Sequence, residues 1–251
     1  MEQNEYDESS NLLEENEQNP LYPFGIPIAH CSVPVQMAFV RKTWAIFTIH
    51  VFLILSVASI FTFIYESRHI IQRFWWLWWI CFFTSIIMLY GLTYKSNDDF
   101  QPPWYLILIY AMANSYVIGS LICLLRLCSA LEALLILFIN CLSLLGFTNQ
   151  NTYKFQSKES IILTIITTFA STLILYIIYL ENSQVIEFYD AIIASLIALP
   201  LSLFFIFDTW YLMKSMNKKE FWGASVQLIL DLFAPFKFIH HMCELSAEYY
   251  Q

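Results

Sequence analysis

The sequence predicts an all-α integral membrane protein of about seven hydrophobic helices, and three observations carry that prediction. Of 251 residues, 59% are hydrophobic and only 13% are charged, where ordinary soluble domains carry roughly a quarter charged residues. Mean hydropathy is +0.59. Apolar stretches of about 17 to 23 residues recur along the chain, the length a helix rising about 1.5 Å per residue needs to cross roughly 30 Å of hydrocarbon. With 5 Gly and no alternating polar and apolar pattern with paired turns, a β-barrel is disfavoured.

Residues 1 to 36 read as a disordered, acidic, cytoplasmic tail. Glu2, Glu5, Asp7, Glu8, Glu14, Glu15 and Glu17 all precede the first proline, in a stretch too polar to bury a core. An acidic start is the opposite of a cleaved signal peptide, so the first span is expected to do the targeting. The Pro-containing stretch from Pro20 to Pro34 leads into a membrane domain assigned to residues 37–245, followed by a short tail at 246–251.

The first span is expected from Trp44 to Ile64, after Arg41 and Lys42. The second, Phe74 to Leu92, opens with Trp75, Trp76, Trp78 and Trp79, suited to an interface where indole N–H groups meet water. Trp104 to Leu125 and Leu131 to Phe147, joined by a short link at Arg126, form an antiparallel pair. Beyond the polar segment Thr148 to Ser160 come Ile161 to Leu180 and Ala191 to Phe207, the latter containing Pro200, a kink point. A loop with Lys214, Lys218 and Lys219 leads to the least hydrophobic candidate, Phe221 to about Cys243.

Net charge is −8, and clustered basic residues for phosphate binding are lacking, which argues against a nucleic-acid partner. The lipid bilayer is the expected partner. The tail and the even-numbered loops hold 8 of the 12 Lys+Arg, leaving 4 (Arg68, Arg73, Arg126 and Lys237) on the other side, which puts the N-terminus in the cytoplasm. Seven full spans would put the C-terminus outside; a seventh segment that dips in and returns would keep it inside. The 6 cysteines form no CxxC pair and read as small apolar residues, with no cofactor or metal centre implied.

Asp231 is the residue that stands out. It sits in VQLILDLFAPF with no other charge within five residues. A carboxylate in hydrocarbon costs at least about 2.5 to 3.5 kcal/mol and therefore faces the bundle interior or a water-filled cavity. The other reading is a surface-lying amphipathic helix with Asp231 wet. Asp208, at the end of the sixth span, is by itself an ordinary end-of-helix acid. The hairpin between the last two segments could bring it to Asp231 only if it lies deeper than hydropathy suggests. Such a pair would share a proton, because two like charges a few ångströms apart cannot both ionise cheaply, and would make a pH sensor.

Three further residues are secondary candidates. Glu132 is expected as a helix N-terminal acid favoured by the macrodipole, His50 as a polar-contact histidine with a possible gating role, and Lys237 as a snorkelling base. Enzymatic chemistry is not expected: no G-x-S-x-G elbow and no H-E-x-x-H occurs. Two helix-borne aspartates also fit an intramembrane protease, but the GxGD-like signature is missing. A seven-helix receptor is disfavoured by the lack of D-R-Y and N-P-x-x-Y.

Four stretches resemble the Bax-inhibitor/lifeguard family. Arg41-Lys42-Thr43-Trp44-Ala45-Ile46-Phe47-Thr48 is similar to that family's basic opening of the first span, and Leu131-Glu132-Ala133 to the fourth span of its plant-like branch. Phe207-Asp208-Thr209 is similar to its (F/Y)DTQ, with Trp210 in place of the usual Gln, and Leu228 to Phe236 to its LYLDIINLF. The resemblance implies a seven-helix bundle with a central last helix and a pH-sensitive calcium leak in the ER or Golgi membrane. It also implies suppression of apoptosis, with Asp208 and Asp231 as the pH-sensing and ion-gating pair that calcium meets in transit. Carboxylate oxygens suit a hard cation. The alternative is an anti-apoptotic binding protein, acting on apoptosis-regulating membrane proteins without conducting ions.

Overall fold

The computed structural model describes residues 27–64, 66–96, 104–125, 127–150, 152–181, 188–217 and 220–233. Regular structure among them is entirely helical. A 3-10 turn at Ile28–His30 precedes α1 (Val33–Phe63), a short α2 (Ser67–Arg73), α3 (Trp75–Ser96), α4 (Trp104–Leu125), α5 (Cys128–Phe147), α6 (Lys158–Glu181), α7 (Phe188–Ser215) and α8 (Phe221–Phe233). Six helices, α1 and α3 to α7, are long and apolar enough to cross a membrane. The chain is an all-helical, multi-pass membrane protein.

The boundaries differ from the hydropathic ones in instructive ways. α1 begins at Val33 rather than at Trp44, with a proline in its first turn, where the missing N–H has no helical partner to lose. Gln36, Arg41, Lys42 and Thr43 depress the local hydropathy, yet Met37, Phe39 and Val40 on the same turns are buried. Gln36 and Thr43 are buried with them, so the helix carries polar residues into the core here and residues 27–36 are packed structure rather than tail; 1–26 lie outside the described residues. α7 likewise runs on to Ser215, through Pro200.

The seventh segment, expected over 221–243, is described as far as Phe233. Its 13 residues rise about 20 Å, short of the roughly 30 Å of a hydrocarbon core. The described residues therefore support six full spans plus a shorter buried helix; Lys237 and Pro235 lie beyond them. α8 packs against α1, α3 and α7, and Ala224, Ser225 and Leu228 are fully buried.

Close packing organises the rest. α1 lies most extensively against α4, and Gly119 permits it: a Cβ there would stand 3.0 Å from the Ala58 backbone nitrogen and from Val57 Cγ1. α5, α6 and α7 form a second layer, with Ala191, Ala194 and Ala198 buried beside Ala133, Ile136 and Leu175; small residues let apolar helices approach. Asn140 pins this layer. Its amide nitrogen donates to Thr168 Oγ1 (2.8 Å) and Ser202 Oγ (2.9 Å), and its oxygen accepts from Thr167 Oγ1 (2.8 Å). Arg41 ties the layers together, donating from Nη2 to the Thr148 carbonyl at 2.6 Å, beyond the end of α5, where a cation satisfies terminal carbonyls.

Candidate functional site: a buried acid pair between the last two helices

Asp208 sits two turns before the end of α7, because that helix continues to Ser215, and is 0% exposed. Asp231 is 1% exposed, ten residues into α8. The hairpin brings the two side chains close enough to act on each other electrostatically. No hydroxyl, amide or basic group among the described residues donates to either Asp208 oxygen. Since an ionised carboxylate is an acceptor only, a hydrogen bond between two carboxyl groups requires a proton on one of them. Two ionised carboxylates here would be like charges in a medium that screens them poorly.

The surrounding residues fix the platform. Thr209, next to Asp208, is fully buried; its hydroxyl donates to the Phe205 carbonyl at 2.7 Å and accepts the Trp44 indole N–H at 3.1 Å. Phe47 of α1 lies against Phe205 with ring centroids 4.5 Å apart. α7 is thus held on α1 beside the acid pair, and α8 is packed against both. Neither the Trp44 to Thr209 bond, which spans 165 residues, nor the Asn140 node was expected from sequence. A lone Asn within an apolar run was the available signal for the second, and the first had none.

The secondary candidates fall elsewhere. His50 is buried between α1 and α4, with Nε2 3.0 Å from the Asn114 amide and its ring stacked on Tyr110 at 5.5 Å. Glu132 is not in the first turn of α5, which begins at Cys128. It is 7% exposed, and its electrostatic neighbour is Asp190 near the start of α7; the macrodipole account of it therefore weakens. Lys237 lies outside the described residues. No group of three or more His, Cys, Asp or Glu able to hold a metal occurs among the described residues.

No protein-family model and no solved structure matches the chain. Curated relatives do. The chain is 25% identical over 228 residues to a protein of Schizosaccharomyces pombe named Bax inhibitor 1, covering 90% of this chain and 82% of the relative. It is 24% identical over 230 residues to the Golgi anti-apoptotic protein of vaccinia virus strain Lister, covering 90% of this chain and 92% of the relative.

Proposed function

As a member of the Bax-inhibitor family, we propose, this chain is a pH-sensitive calcium leak of an intracellular membrane that restrains apoptosis. The observation that carries the reading is the acid pair: two carboxyl groups, fully buried, facing each other across the α7–α8 hairpin. Hydrocarbon-level acids are costly and mark ion or proton pathways. With one proton shared, the hairpin is held by a hydrogen bond; with none, it is pushed apart by two like charges. Pro200 inside α7 is a compliant point for that movement.

Calcium is the cargo rather than a resident ion. Two carboxyl groups fall well short of the six to eight oxygens that Ca²⁺ takes, so the pair offers a passing contact completed by water and backbone oxygen. The bundle in this reading has a seventh, central helix of which α8 is the first part, with a cytoplasmic N-terminus and an ER or Golgi location. The name of the vaccinia relative supports the Golgi and the apoptotic side of the reading.

The test is calcium flux into liposomes holding the purified protein, across about pH 5.5 to 8. The native chain leaks with a pH dependence that Asp208→Asn or Asp231→Asn abolishes. Absence of flux, or unchanged behaviour in both variants, sinks the leak and favours the second reading, a membrane-embedded regulator that binds apoptosis proteins without conducting. The relatives' names favour that second reading, and loss of protection from cell death on deleting residues 1–26, with flux intact, would support it.

A further inference from the structure

The hairpin that carries the acid pair is gripped from outside by the chain's own N-terminal segment. The Ile28 N–H donates to the Met216 carbonyl, just past the end of α7, at 3.1 Å, and the Ile28 side chain is fully buried in the main core. The turn that presents Ile28 is shaped by Gln36, itself 1% exposed, whose amide donates to the Ala29 and Cys31 carbonyls at 3.0 and 2.9 Å. On the far side of the same loop, the Lys42 ammonium stands 4.9 Å over the Phe221 ring, at the first residue of α8. Both ends of the α7–α8 connection are thus tied to one short stretch, and Arg41 within that stretch is anchored on Thr148 beyond the end of α5.

We propose that the turn from Pro27 to Ser32 and the first turns of α1 form an autoinhibitory latch, which holds the α7–α8 hairpin closed and must be released before that hairpin can move. The inference rests on the reading of the acid pair as the gate, and it adds where the gate is restrained and by what. The chemistry suits a releasable contact. The backbone hydrogen bond and the exposed cation over a ring lie at the end of the bundle, where water can replace them.

Backbone hydrogen exchange in lipid nanodiscs tests the latch without reference to ion flow. Ile28→Glu places a charge where a fully buried side chain sits, so exchange of the amides from 221 to 231 is expected to accelerate about tenfold or more. Calcium flux in liposomes should rise in parallel. Should that variant fail to insert, Gln36→Leu removes the two side-chain bonds that shape the turn while keeping an apolar body, and it should act in the same direction. Faster exchange with raised flux supports the latch. Faster exchange with no flux from either protein keeps the latch and removes the leak reading. Unchanged α8 exchange in a folded variant overturns the latch whatever the flux does.

Discussion

The two polar sites inside this bundle are opposite in kind. At the Asn140 node, both amide donors and the carbonyl oxygen are matched by hydroxyl groups at 2.8 to 2.9 Å, and the Ser202 hydroxyl, which accepts from Asn140, donates in turn to the Ala198 carbonyl of its own helix. At the Asp208 and Asp231 pair, two acids meet and no other described donor reaches Asp208. On the proposed reading, the difference separates structure from function. A satisfied polar network in lipid fixes which helices pack and in what register. A buried acid pair costs stability and persists where its ionisation does something.

The sharpest way to break this contrast is to remove each site and read stability and pH response separately. Asn140→Leu abolishes three hydrogen bonds between membrane helices, each worth about 0.6 kcal/mol on average. A loss of about 2 kcal/mol is therefore expected, seen as a lower thermal midpoint in detergent, with the pH response of flux intact. Asp208→Asn does the reverse. An amide in place of one acid can still donate a hydrogen bond to the other, so stability changes by no more than about the 0.6 kcal/mol of an average bond between membrane helices, while the pH response disappears. A variant set in which Asn140→Leu flattens the pH response, or Asp208→Asn unfolds the protein, would erase the distinction. His50→Gln adds a control within α1: an amide can still meet Asn114, and, because the contacts of His50 are with α4, the pH response is expected to persist.

How far the sequence discloses all this depends on whether the signal is local. Spans such as Trp104 to Leu125 are read to the residue, because unbroken apolar length is a property of the segment itself. Asp231 stands out for the same reason, as a lone acid in an apolar run. α1 and α7 are read too short because their outer turns mix polar and apolar residues: Arg41, Lys42, Thr209 and Lys214 lower the window average while Met37, Val40, Leu212 and Met213 on the same turns are buried. That error at α7 is what left Asp208 at an interface when it lies two turns inside. Ile28 was illegible, since a proline-rich approach to a helix looks like linker whether or not one of its residues packs. Pairings such as Trp44 with Thr209 are set by which helices are neighbours, and that is a property of the bundle.

That last contact yields the smallest of the expected effects and the finest test of the contrast, because Thr209 belongs to both worlds. Its hydroxyl is fully satisfied, as Asn140 is, yet it adjoins Asp208. Thr209→Val keeps the branched shape and leaves the Trp44 indole without its acceptor, at a cost of about 0.6 kcal/mol if the bond is average for membrane helices. If this bond only glues α1 to α7, stability falls by that amount and calcium flux is unchanged. If the bond instead restrains the hairpin, the same energy appears as a shift of about threefold in the balance between held and released states, since RT is about 0.6 kcal/mol. Flux then rises threefold at every pH while the shape of its pH profile stays as in the native chain, because both carboxyl groups are still present. A rise in flux with an altered profile would mean that Thr209 tunes the shared proton itself, and the line between structural and titrating polar groups would have to be drawn one residue further along α7.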